Sequence, residues 1–257
     1  MFNRDDQSDL NDLNHLNDLN DSNDLNDQHM KILAVDTATK SCSVAVTDRE
    51  TLLAELTVAN GRTHSRHLMN IIDTVLEMAE LQAEQLDGFA ATIGPGSFTG
   101  LRIGLSTIKG LAYALHKPVV GVSSLDALAW QCSQTPLLIC AAIDARKKEV
   151  YSCRYRFINQ VMTKEGCEQV ASPIDTVRGI DEPCIFVGSG AKLYQKLIAA
   201  ELGELAHFAD DSRHIIRAST IAGLGLARIE QKSPQDAKLL VPQYIRSSDA
   251  QLKIGHK

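Results

Sequence analysis

The chain lacks any apolar run approaching the ~20 residues that a membrane-spanning helix needs, so no membrane partner is expected. It also lacks a C-x-x-C pair. Its six cysteines, Cys42, Cys132, Cys140, Cys153, Cys167 and Cys184, are scattered through the 257 residues. That spacing fits neither a zinc site nor a disulfide-stapled secreted scaffold, and it predicts reduced thiols in the cytoplasm. Residues 1–29 hold no Glu and one basic residue, Arg4, against eight Asp, for a net charge of −7. The remaining residues hold 25 basic and 24 acidic side chains, a net of +1, so the overall −6 belongs to the leader. A body this evenly balanced offers no general field for nucleic acid or an anionic membrane. Any such contact needs a local patch.

The leader has no basic start, continuous apolar stretch or small-residue cleavage site, as a signal peptide would. Residues 10–27 repeat Asn, Asp and Leu with period three, which matches neither the helical period of 3.6 nor the strand period of 2. Asn and Asp disfavour both structures. Residues 1–29 therefore read as a disordered tail, with Met30 as the functional start.

From Met30 the pattern turns to alternation. KILAVDTAT, CSVAVTD and TLLAELTVA are β-branched runs close enough together for an antiparallel meander. An amphipathic helix is expected over about 63–81, capped by Thr63 or Ser65. DGFAATIG reads as a buried strand, LRIGLSTIKGLAYALH as a helix stopped by Pro118, PVVGVSS as a strand and SLDALAW as a helix. A second round follows Pro136. LLICAAIDA and VYSCRYRF flank the charged turn ARKKE, CIFVGSG is a strand, and AKLYQKLIAAEL and STIAGLGLARIEQ are helices. Each round opens on an apolar strand ending in Asp, at Asp36 and Asp144. This predicts an α/β protein of two related lobes, 30–132 and 137–257, with the last segment packing back on the first lobe.

Six of the sixteen glycines fall between Gly88 and Gly110, densest in Gly94-Pro95-Gly96-Ser97-Phe98-Thr99-Gly100. Between a strand and a helix start, such a loop can bring backbone N–H groups to an anion, helped by the helix dipole. A Walker loop would end in Gly-Lys-Ser/Thr, and no Lys occurs before Lys109. A dinucleotide fingerprint would need a different glycine spacing, a first strand and an acidic residue further on. Two readings stay open: a phosphate cradle, or a tight turn that lets a helix pack closely.

The run GPGSFTGLRIGLSTIKGLAYA, with AVDTAT, SVAV and HSRHL before it and PVVGVSSLDALA, AAIDARKKEVY and PQYIR after it, resembles the bacterial TsaB (YeaZ) family across residues 30–246. The resemblance implies the two-lobed actin, sugar kinase and Hsp70 fold, each lobe a mixed sheet flanked by helices. It implies an accessory role in making threonylcarbamoyladenosine in tRNA. The direct partner would be the catalytic paralogue TsaD, with TsaE and TsaC acting in the same reaction and tRNA met through the complex. Catalytic members carry two His four apart after the following strand; here those places fall at Ser124 and Leu128. Leucine has no lone pair for a cation, and Asp126 nearby reads as a helix N-terminal charge. No metal or catalytic residue is therefore expected.

His64 and His67, three apart, read as capping or interface residues rather than ligands. Asp36 with Gly94, Gly96, Ser97, Thr99 and Gly100 forms a vestigial or complex-dependent nucleotide edge, with no cofactor held by the chain alone and ATP or ADP only at the assembled complex. Gly188-Ser189-Gly190 is a short remnant of the second glycine turn. Both helices carry apolar residues on more than one stripe, which spacing alone reads as internal core; the resemblance turns the reading to a docking face on His64, His67, Leu68, Ile71, Ile72, Val75 and Leu76 of one helix and Leu101, Leu105, Ile108 and Ala112 of the next. Such a face predisposes the chain to homodimerise when its partner is absent. Arg146, Lys147 and Lys148 read as a solvated basic turn. The rival reading is an ATP-binding phosphotransferase or glycoprotease-like enzyme of the same superfamily.

Overall fold

The computed structural model describes residues 29–59, 67–231 and 240–246. The leader's expected disorder, His64, and the Thr63 and Ser65 caps lie outside the described residues. The first sheet begins with β1 (Lys31–Asp36), β2 (Cys42–Asp48) and β3 (Thr51–Val58) as an antiparallel meander. After helix α1 (Leu68–Met78), β4 (Gly88–Gly94) pairs parallel to β1; after α2 (Phe98–Leu115), β5 (Val119–Ser123) pairs parallel to β4. The strand order is β3-β2-β1-β4-β5. Helix α3 (Ser124–Trp130) leads to the second sheet, whose β6 (Leu138–Asp144), β7 (Val150–Ile158) and β8 (Val161–Ala171) repeat the meander. Helix α4 (Pro173–Val177), β9 (Cys184–Val187), α5 (Ser189–Leu193), α6 (Gln195–Leu202) and β10 (Ala206–Phe208) complete it in the order β8-β7-β6-β9-β10. The two sheets thus share one connectivity, the duplicated two-lobed fold that the resemblance implied. Helix α7 (Ala218–Glu230) is the last helix among the described residues.

Strand parity decides the layers, because alternate side chains point to opposite faces. Leu33, Val35, Phe89 and Ala91 meet α1 and α2 in one outer core, while Ile32, Ala34 and Ala90 face a central core. In the second sheet Ile139, Ala141 and Ile143 join that same central core, and Leu138, Cys140 and Ala142 form the far outer one with Phe186 and Ile198. Helices α3 and α7 therefore lie between the sheets. Helix α7 is held to the first: Ala218 N donates to Ser43 Oγ at 3.0 Å, and Glu55 receives Arg217 and, at 3.1 Å, Ser219 N.

One expected element needs correction. The helix expected over 191–202 breaks at Tyr194, whose φ of −105° and ψ of 17° separate α5 from α6. Strands β8 and β10 and the short α4 carry no pattern that marked them. None of the six cysteines is paired, and only Cys167 is exposed. Burial pushes the Cys140 thiol up to about 12, and burial together with the Asp36 charge does the same to Cys42, so both stay unreactive thiols. Among the described residues no helix is long and apolar enough to cross a membrane.

Candidate functional site

The glycine loop leaves the end of β4 and enters α2, with Ser97 as the N-cap accepting Gly100 N at 3.2 Å. It is pressed against the residues that follow β1. Ser97 N donates to Ala38 O at 2.7 Å, and Thr37 Oγ1 donates to Gly100 O at 2.8 Å. A Cβ on Gly96 would collide with the Ala38 carbonyl oxygen, and one on Gly100 with that of Thr37. At both positions the chain's own backbone comes within the space a side chain would need. Of the two readings left open by the sequence, close packing is the one the geometry shows. Ser97 and Thr99 are exposed on the outer side of the turn, and Gly94 ends β4.

Asp36 ends β1 fully buried beneath this loop. Its Oδ1 accepts Ala38 N at 3.1 Å and Thr92 Oγ1 at 2.9 Å, while Oδ2 is buried with no hydrogen-bond partner. Desolvation raises its pKa from the usual carboxylate range to about 7, although the two hydrogen bonds pull the other way. The carboxyl cannot reach a ligand unless the loop moves. The folded state binds this proton and the unfolded chain releases it near pH 4, so stability falls as pH rises from about 4 to 7. Asp36→Asn should flatten that interval in a series of thermal unfolding curves; an unchanged pH slope would place the proton elsewhere.

The corresponding Asp144 at the end of β6 is half-buried and differently engaged: its Oδ1 accepts Arg146 N at 2.9 Å, and its own N–H donates to Ser189 Oγ at 3.2 Å. Gly188 and Gly190 pack on Ala142 and Ile143 of β6, so the second glycine turn is also a packing device. Ser124 and Leu128 are both fully buried. Asp126, read from sequence as a helix-end charge, does more: its Oδ1 accepts Tyr155 O–H at 3.0 Å and lies 2.8 Å from Lys164 Nζ, and its Oδ2 lies 3.5 Å from Arg228. Ser123 Oγ donates to Glu168 at 2.6 Å, and Lys164 reaches the same carboxylate at 2.9 Å. This network joins the end of β5 and the start of α3 to β7 and β8, bolting one lobe to the other. Two carboxylates balanced by Lys164 and Arg228 leave no net negative charge for a cation. Among the described residues no group of three His, Cys, Asp or Glu is placed to hold a metal.

The docking face that the resemblance implied on these residues is corrected by burial, and the internal-core reading of the spacing holds. Leu68, Ile71, Ile72, Val75 and Leu76 of α1 and Leu105, Ile108 and Ala112 of α2 lie in the outer core of their own lobe, and Leu101 lies in the central core. Each large one contributes about 1.5–3 kcal/mol there and presents nothing to a partner. Among the described residues of that expected face, His67 alone is exposed, at the α1 N-cap with no side-chain capping bond. The outward sides of the same helices carry Met69, Met78 and Tyr113, at 46%, 64% and 75% exposure.

The family model for TsaD, described as tRNA N6-adenosine threonylcarbamoyltransferase, matches residues 55–254. The tRNA threonylcarbamoyladenosine biosynthesis protein TsaB of Bacillus subtilis is 30% identical, over 87% of this chain and 97% of its own length. Its namesake in Haemophilus influenzae is 33% identical over 86% and 95%. The chain belongs to the TsaB family. Among solved structures, YeaZ from Pseudomonas aeruginosa superposes with a TM-score of 0.73 at 29% identity, covering 84% of this chain and 99% of that one.

One feature of this TsaB-family chain had no signal in periodicity. Residues 240–246 run as a strap that contacts both lobes. Leu240 is buried in the first lobe, its carbonyl accepts Lys109 Nζ at 2.9 Å, and Gln243 N donates to Ile93 O at 2.7 Å beside the glycine loop. The Tyr244 ring stacks on Phe98 with centroids 5.0 Å apart, and its hydroxyl accepts Arg102 Nε at 3.1 Å. Arg246 then crosses to the second lobe, donating to Ala145 O at 2.9 Å and pairing with Glu149. The run PQYIR supported the family resemblance, but its contacts are long-range and could not be read from spacing.

Proposed function

We propose that this chain is a non-catalytic subunit for threonylcarbamoyladenosine modification of tRNA, docking directly on TsaD and acting in the cytoplasm with TsaE and TsaC. The observation that carries the reading is the closure of the glycine loop over Asp36, with its backbone packed on Thr37 and Ala38, which supports a chain that holds no nucleotide by itself. Names shared by the curated relatives support the pathway. ATP or ADP then enters only at the assembled complex, and tRNA is met there too. Docking uses the outward side of α1 and α2, with His67, Met69, Met78 and Tyr113, and works by shifting TsaD toward its competent state. Purified chain alone should turn over no nucleotide and cleave no peptide, yet restore modification of a tRNA transcript when added to TsaD, TsaE and TsaC. Nucleotide turnover by the isolated chain would favour the phosphotransferase reading instead.

A further inference from the structure

The β6–β7 turn is built against conformational preference. Arg146, Lys147 and Lys148 have φ of 63°, 51° and 61°, three consecutive left-handed residues in a region that glycine and asparagine occupy far more readily. The β7–β8 hairpin tip, by contrast, places Asn159 at its first left-handed position. The strained turn is nevertheless fixed. Ala145 N donates to Glu149 O at 3.0 Å, Glu149 N to Arg146 O at 2.9 Å, and Arg146 N to Asp144 Oδ1 at 2.9 Å. From behind, Arg246 of the strap holds Ala145 O and the Glu149 carboxylate.

The charges sort in one direction. The two acidic neighbours are turned to internal partners, Asp144 to the Arg146 amide and Glu149 to Arg246, while Arg146, Lys147 and Lys148 are exposed. The Arg146 guanidinium is 73% exposed and comes no nearer to the Asp144 carboxylate than 4.0 Å, a separation that binds it weakly in water. A body of net charge +1 has no long-range pull on nucleic acid, so contact with a polyanion has to be made locally. Backbone strain kept at an exposed, buttressed turn is characteristic of sites that must present groups in one geometry.

We propose that the Arg146–Lys148 turn contacts the phosphate backbone of the tRNA, with Arg246 as the positioning residue that holds the turn in place. The proposal rests on the tRNA-modification reading and adds which surface meets the RNA. It concerns backbone contact, so it predicts affinity and salt dependence and no sequence preference.

The test is binding of a labelled tRNA transcript to the full chain, alone and mixed with TsaD, across a salt series. The double variant Arg146→Gln/Lys148→Gln should weaken binding about tenfold and reduce the magnitude of the log–log salt slope by roughly 2, while TsaD co-purification is unchanged. Lys148→Gly should raise the unfolding midpoint by relieving the left-handed strain and yet lower tRNA affinity, a pair of opposite signs that a purely structural turn would not show. Unchanged affinity and slope in both settings overturn the proposal. Loss of TsaD co-purification with tRNA binding retained also overturns it, assigning the turn to the protein partner. If wild-type chain and TsaD do not associate, the docking reading fails by itself, and the chain-alone arm still decides the turn's role.

Discussion

Gly100→Ala should abolish stable folding, while Gly110→Ala, on the same helix, should make the protein more stable. The methyl group at position 100 would collide with the Thr37 carbonyl oxygen, whereas at position 110 it meets nothing within 4 Å. Thr37 cannot retreat cheaply: its hydroxyl donates to Gly100 O, and the adjoining Ala38 carries both the Asp36 and the Ser97 hydrogen bonds. Overpacking typically costs about 1–3 kcal/mol where neighbours can move, and a backbone pinned on three sides lies beyond that range. Against a total stability of about 5–15 kcal/mol, the variant should unfold well below the wild type or fail to accumulate in soluble form. At position 110 alanine gains about 0.5–1 kcal/mol of helix propensity. Thermal unfolding by circular dichroism reads both. A Gly100→Ala protein that melts like wild type would show that the loop is slack and would reopen the phosphate-cradle reading.

The same residues show how far the sequence could be read. Glycine density between 88 and 110 was visible, but glycine signals only that something comes close. Whether that something is a ligand or the chain's own β1–β2 turn depends on contacts some sixty residues apart, such as Thr37 with Gly100. The strands around Asp36 and Asp144 were legible because both are buried on two faces and rich in β-branched and small apolar residues, and the duplication of the lobes followed from their matching ends. Strand β8 was not legible. It is an edge strand, solvated over most of its length, and its Lys-Glu-Gly-Cys-Glu-Gln stretch carries no alternation because no face of it is consistently buried. The sequence went no further than a last segment packing back on the first lobe; the strap's particular contacts were not legible for a related reason, since seven residues held by Phe98, Lys109 and the β6–β7 turn have no period of their own.

On the helix surfaces the spacing pointed to the core and the resemblance to a docking face. Apolar periodicity finds the residues that bury themselves, and on α1 and α2 it found the core of the lobe. Residues available to a partner are those left over: Met69 and Met78, flexible and adaptable, and Tyr113, a ring with a polar tip. Leu105→Asp therefore should not report on docking at all. Leu105 is 3% exposed, and an unpaired carboxylate there would unfold the lobe.

Tyr113→Asp should leave the fold intact and weaken TsaD binding at least tenfold. At 75% exposure the ring contributes little to the chain's own stability, so its unfolding midpoint should stay within a few degrees of wild type. In an interface, a tyrosine of this kind is the type of residue that costs about 2 kcal/mol or more when removed, and a carboxylate in its place adds the desolvation of a charge. Met69→Asp should act in the same direction, because α1 and α2 share the outer layer of the first lobe. The measurement is titration calorimetry against TsaD, beside an unfolding curve for each variant, followed by the reconstituted modification of a tRNA transcript. Activity should fall in step with affinity and be recovered at high subunit concentration, since the subunit is held to act only by being bound. Wild-type affinity in both folded variants would move the interface off these helices. Unrecovered activity at saturating concentration would mean that this surface does more than dock.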